Sequence, residues 1–371
     1  MLSRVEPIAR RSARLSVLLL LAATACDMPT KLPSWDQTWL IPGDSTTVGV
    51  SELLPATGEV SIATLNGQQV FSVNVASPGT FSRSLGQICS ACAAVNGTTV
   101  PKPAFTLNDS TGTTLPASLV AATVVSGGFT YTITNGFSFD PIRPNAAGAP
   151  YGYFVLLVMN GSTVVAEDSI NGASLAMGKN GATLQRNVAL NLGGGSLSIT
   201  GSKPLEVYLM LNSPSGDPVT INTNQTFSVS IVASPISASQ AQVNVTNQNV
   251  NAAQTTIDLS SVSDPSLVNR VQGATLHLNI ASPFGVQGTL TATFSVSGAQ
   301  PIVKSIPLTT AAQQSPDVTL SAAEIRALLG HTANLSVSGT VSAPSGSVTI
   351  TPTQVLKVNS TFEIILSTTE S

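Results

Sequence analysis

Residues 129–134 read Phe-Thr-Tyr-Thr-Ile-Thr. Large apolar side chains hold one phase of a two-residue period and threonines the other, as a strand with one buried face requires. Gly127-Gly128 precedes the run and Asn135-Gly136 follows it; both pairs are turn signals. Outward from this stretch the period repeats. Phe71, Val73 and Val75 keep it, as do Phe227, Val229 and Ile231. So do Leu276, Leu278 and Ile280, then Leu290, Ala292, Phe294 and Val296, and finally Phe362, Ile364 and Leu366. Leu205, Val207, Leu209 and Leu211 occupy the apolar phase of another run, with Glu206 and Asn212 on the polar one. Residues 153–159 are apolar on both phases, which predicts a central strand covered on both faces.

Many short alternating strands separated by regular turns predict an all-β fold. The 371 residues divide into two tandem β-sandwich-like domains, 58–247 and 248–371. One short helix is expected over 321–329. Ser321 and Glu324 make a capping box, Ile325, Leu328 and Leu329 an apolar face, and Gly330 a stop. A second short helix is expected over 264–271. Residues 116–139 echo 264–288, with Leu119-Val120 answering Leu267-Val268, and the echo reads as divergence of the tandem domains.

Charged residues are 9% of the chain, against about 25% in ordinary soluble domains. Fifteen Lys and Arg against 18 Asp and Glu give a net charge of −3. No basic excess exists to hold a phosphate backbone, so a nucleic-acid partner is not expected.

The N-terminus carries Arg4, Arg10, Arg11 and Arg14, then an apolar run over 15–25 broken only by Ser16 and Thr24. Spanning a bilayer takes about 20 residues, so 1–25 reads as a signal peptide. Ala23-Thr24-Ala25-Cys26 resembles the lipobox of bacterial lipoproteins, with Ala23 where that family prefers Leu. The resemblance implies cleavage before Cys26, acyl chains such as palmitate on that residue, and a membrane-anchored place in the bacterial cell envelope. The alternative is an ordinary signal peptide cleaved after Ala25. Residues 26–57 would form the lipidated Cys and a tether or docking segment, kept extended by Pro29, Pro33 and Pro42. Trp35 and Trp39 are expected to pack onto the first β-domain. Loss of four arginines and Glu6 with the signal takes the net charge from −3 to −6.

Cys89 and Cys92 form a CxxC. Zinc would need two further ligands, and His277 and His331 lie far along the chain. A redox site would sit at a helix N-terminus in a βαβ setting. Gly86, Ser90 and Gly97 mark a surface loop instead, so the expectation is a short-range disulfide, favoured by an oxidising compartment, or two thiols in that loop.

Catalytic side chains are sparse. His277 sits between Leu276 and Leu278 and is expected to face solvent. Residues 172–180 imitate a phosphate loop, but five residues separate the glycines and Asn180 stands where a hydroxyl would meet Mg²⁺; Lys179-Asn180-Gly181 is read as a turn. Asp140 and Arg143, joined by Pro-Ile, are expected to form a structural ion pair across a tight turn. Glu167-Asp168 is an adjacent acid pair. No catalytic residue, metal ligand or cofactor is assigned. The expected role is a non-catalytic binding or structural module of the envelope. Its expected partners are the membrane, through Cys26, and a protein or apolar ligand. Carriage of a lipid in a β-domain cavity is the alternative. A glycan hydrolase is a third reading, and it would need two carboxylates in one cleft.

Overall fold

The computed structural model describes residues 36–367 apart from 44, 55 and 253. The signal region, Cys26 and Trp35 lie outside the described residues. Strand makes up 57% and helix 8%, so the all-β expectation holds.

Four antiparallel strands form an outer sheet in the order Thr163–Asn171, Tyr153–Asn160, Leu205–Ser213, Phe105–Thr113. Facing it is a longer, bent sheet. Its upper half runs Ala182–Ala189, Gly128–Asn135, Thr226–Ala233, Gly79–Ser84. Its lower half runs Leu197–Thr200, Leu119–Ser126, Ile236–Asn244, Gln68–Val73, with Val60–Leu65 at the edge. Leu119–Ser126 runs on into Gly128–Asn135 and Thr226–Ala233 into Ile236–Asn244, so the two halves are joined across a bend through their central strands. The Gly127-Gly128 turn signal marks this bend and not a reversal. Gly127 has φ +150°, and a Cβ there would stand 2.9 Å from Leu190 Cδ1, so the bend needs glycine. The ladder persists through it: Leu190 N–H donates to the Gly127 carbonyl and Ser234 N–H to that of Gly128.

Phe129, Tyr131 and Ile133 are buried, so the apolar phase of the opening stretch is the one that closes the core. Phe154 reaches across from the outer sheet to Tyr131 and Phe227, with ring centroids 5.8 and 6.4 Å apart.

A second sandwich uses the later strands. One sheet contains Val355–Ser367, Val271–Ala281 and Asp317–Ser321; the other contains Thr332–Ser342, Gln287–Ser295 and Ile302–Leu308. Phe294 and Phe362 meet edge to face between them at 6.5 Å. The helix Ala322–Leu328 carries the expected capping box of Ser321 and Glu324.

Four features depart from the sequence reading. First, the docking segment joins the second sandwich. Asp36–Pro42 and Thr46–Gly49 both pair with Val355–Ser367, and Trp39 lies opposite Ile364. An alternating strand can cover any open edge, and this one covers the edge of the last strand. Second, Ser347–Ile350, within the later half of the chain, pairs with Ala241–Asn244 of the bent sheet. The sandwiches therefore share a strand ladder across the 247/248 boundary. Third, the echoed segments differ in structure. Leu119-Val120 opens a strand, while Leu267-Val268 sits in the single helical turn Pro265–Val268, capped by Asp264, because Asp-Pro favours a helix start. Fourth, Cys89 and Cys92 do not sit in a surface loop. Cys89 is the cap between two consecutive helical turns, Leu85–Ile88 and Ser90–Ala93, the first started by a Ser84–Gln87 capping box, and Cys92 lies in the second. Both are buried and joined by a disulfide.

Candidate binding face

Residues 153–159 form a central strand of the outer sheet, flanked on both sides. Only one of its faces is covered. Phe154, Leu156 and Val158 point into the sandwich and are fully buried. Tyr153, Val155, Leu157 and Met159 point outward and are exposed or half-buried. The expected double cover is absent because no layer lies outside this sheet among the described residues.

Cross-strand register orders this face into rows. One row runs Asn171, Tyr153, Asn212, Thr106. The next runs Ser169, Val155, Met210, Asn108, and the third Glu167, Leu157, Tyr208, Ser110. The middle of the face is aromatic or aliphatic except for Asn212, and its margins are amides and hydroxyls, with one acid. Tyr153 is 41% exposed, Tyr208 39% and Met210 46%. The phenol of Tyr208 donates to Glu206 Oε2 at 2.5 Å, which orients the ring. That bond, with some loss of hydration, holds the phenol above its ordinary pKa.

Tyr208 and Met210 were missed from sequence because Leu205 to Leu211 were read for their buried phase. The available signal was two large apolar residues on the phase that Glu206 and Asn212 mark as polar.

The remaining singled-out residues are structural. Alternation splits the acid pair: Glu167 faces outward on the third row, while Asp168 turns inward to Arg186 and the Tyr131 phenol. Asp140 and Arg143 do not form the expected pair. Asp140 accepts from the backbone N–H groups of Ile142, Arg143 and Gly178. The Arg143 guanidinium donates to the carbonyls of Gly172 and Ala173. Backbone groups freed in the turn compete successfully for both side chains. Asn180 and Gly181 take positive φ, as the turn reading requires. His277 is part-exposed, with Nδ1 2.8 Å from Asp317 and Nε2 2.6 Å from Glu363. Both ring nitrogens are engaged by carboxylates.

Lys102 was not singled out from sequence. It is fully buried, donates to the carbonyls of Pro103 and Pro214, and lies 4.8 Å from the Phe105 ring centre and 5.3 Å from that of Phe139. Burial pushes its pKa down to about 7.

An apolar cavity lined by Val48, Phe284, Leu290 and Leu356 in the second sandwich measures about 20 Å³. Ligand pockets are about 300–1,000 Å³, so this space does not hold a lipid. A polar cleft of about 450 Å³ is lined by Asp140, Arg143, Lys179 and Asp217. Asp140 there is saturated by three amides and Asp217 accepts from Ala146 N–H, an arrangement that holds turns in place. Among the described residues no cluster of His, Cys, Asp or Glu fits a metal.

No protein-family model matches the chain, and no curated protein matches it. Among solved structures it is similar to a presumed secreted protein of Parabacteroides distasonis, at 8% identity and TM-score 0.31, covering 88% of this chain and 99% of that one. It is also similar to a chain of infectious bursal disease virus (10%, TM-score 0.21, 94% and 76% covered). A third is the tandem CBM22 domain of Paenibacillus barcinonensis Xyn10C (14%, TM-score 0.17, 87% and 98% covered). TM-scores below 0.5 establish no common arrangement with any of them.

Proposed function

We propose that this chain is a lipid-anchored protein of the bacterial envelope that acts as a non-catalytic binding module through the uncovered face of its outer sheet. One observation carries the reading: Tyr153, Val155, Leu157, Tyr208 and Met210 lie side by side on the two central strands, with none of the described residues layered over them. Contiguous exposed apolar surface on a soluble domain marks a contact site more often than chance. The anchor rests on the resemblance at residues 23–26 to a lipobox.

The contact face is tested by placing a photo-cross-linking residue at Met210 of the full chain in cells. An adduct is expected there and none at Val303, which is 59% exposed on the other sandwich. Equal labelling at both positions, or none at Met210, refutes the reading. For the anchor, Cys26→Ser is expected to move the protein from the membrane to the soluble fraction; continued membrane association refutes it.

A further inference from the structure

We propose that the outer-sheet face binds an uncharged polysaccharide chain lying along its two central strands; this deepens the binding-module reading and rests on it. Three properties of the face select this partner.

The first is extent. An aromatic side chain presents roughly 150–250 Å², and Tyr153, Tyr208 and Met210 are each less than half exposed. The open apolar surface is therefore a few hundred Å², about half or less of the roughly 800 Å² per partner in a stable protein interface. A second copy of this chain is thus the weaker occupant.

The second is charge. The three rows contain no Lys or Arg; their one acid, Glu167, is in the third, and Glu206 lies opposite Met159 just beyond it. An anionic polymer would meet repulsion and no counter-charge. Uncharged amides and hydroxyls dominate the margins, where Asn171 and Asn108 each offer both donor and acceptor, and Asn212 does the same beside Tyr153.

The third is pattern. A sugar polymer presents C–H groups on its ring faces and hydroxyls along its edges. The protein face presents the complement, with apolar side chains along its two central strands, one Asn among them at the Tyr153 end, and hydrogen-bonding margins. Tyr208 lies opposite Leu157, four residues along from Tyr153, so the two rings are roughly 14 Å apart along the strands at about 3.4 Å per residue. That span suits several linked sugar rings and exceeds one. The Glu206 bond orients the distal ring before any ligand arrives, which lowers the ordering cost of binding.

The test is affinity gel electrophoresis of the full chain in detergent, with hydroxyethylcellulose, xylan, amylopectin or dextran in the gel, and polygalacturonate as the anionic control. At least one uncharged polymer is expected to retard the chain, and polygalacturonate is not. Tyr153→Ala and Tyr208→Ala should each weaken retardation about tenfold or more, the loss of one buried aromatic contact. Tyr208→Phe keeps the ring and should retain most of the effect. Near-ultraviolet circular dichroism matching the unaltered chain shows that the variants are folded. Retardation by none of the uncharged polymers overturns the proposal, as does retardation that survives in the double Tyr variant. So does a dimer in sedimentation that the same variants dissolve. If no polymer retards the chain but Met210 still cross-links in cells, the polysaccharide is wrong and the contact face stands. If both signals are missing, both fall.

Discussion

Tyr131 donates its phenolic proton to Asp168 at 2.7 Å, and Arg186, directly opposite Tyr131 on the neighbouring strand, meets the same carboxylate at 2.8 and 2.9 Å. The three groups tie the edge of the outer sheet to the bent sheet beneath it. Burial raises the cost of the Asp168 charge, but the Arg186 and Tyr131 bonds outweigh it and hold the carboxyl below its ordinary pKa. Burial and the Asp168 bond together hold the Tyr131 phenol well above its usual range.

Asp168→Asn should therefore lower stability at neutral pH by about 2–3 kcal/mol, the cost of breaking a charge-assisted, part-buried network. A carboxyl depressed in the native state stabilises above its unfolded value and loses that contribution as pH falls through the native one. The urea midpoints of the two proteins should thus converge as pH falls below the ordinary carboxylate range. A gap that stays constant into acid would contradict the assignment.

His277 carries the opposite sign. The bonds to Glu363 and Asp317 raise its pKa above the ordinary value. Its stabilisation is full below about 6.5, the unfolded value, and is lost as pH rises through the native value. Because all three groups are part-exposed, the loss should stay under about 1 kcal/mol. An imidazole titration followed by NMR should give a midpoint above about 6.5, moving down in Glu363→Gln. An unchanged midpoint in that variant would show that Glu363 does not hold the ring.

Lys102 should impose a slope of its own. Its native pKa is depressed to about 7, while the unfolded chain holds the proton to about 10.4. Between those values the unfolded state binds more protons, so stability should rise with pH. Lys102→Met should flatten that rise in urea titrations at pH 7 and 10. An equal slope in both proteins would place the amine in contact with water.

The disulfide between Cys89 and Cys92 closes a ring of only four residues. Removing it in Cys89→Ser/Cys92→Ser should cost about 2 kcal/mol or less and leave the fold intact. Both sulfurs are buried. Reduction should therefore require denaturant, which counting free thiols with and without urea measures. Ready reduction in the native state would show the two turns to be open.

Local patterning was enough to read the strands. The alternation in 129–134 named the buried side chains correctly, and Ser321 with Glu324 named the helix start. The outer face was harder for a physical reason. Apolarity on both phases of 153–159 says that each phase avoids water, but whether a second layer arrives depends on where other segments go. Tyr208 and Met210 carried the relevant signal on the phase marked polar by Glu206 and Asn212. Gly127-Gly128 was visible as a break, but a bend and a reversal differ only in whether neighbours are kept. The spacing of Asp140 and Arg143 put them in one turn, and the turn's own amides and carbonyls then took both side chains. Nothing local to 36–42 names Val355–Ser367 as its partner.

That last pairing has a consequence for how the chain is made. Asp36 lies opposite Ser367, so a strand synthesised early waits for one synthesised more than 300 residues later. Loop-closure entropy must be met before such contacts contribute. Until then the segment carrying Trp39 and Ile41 has no ladder and exposes apolar surface, the state in which nascent chains aggregate. Maturation should be paced by arrival of the final strand, and the half-made protein is the form that most needs a holding chaperone.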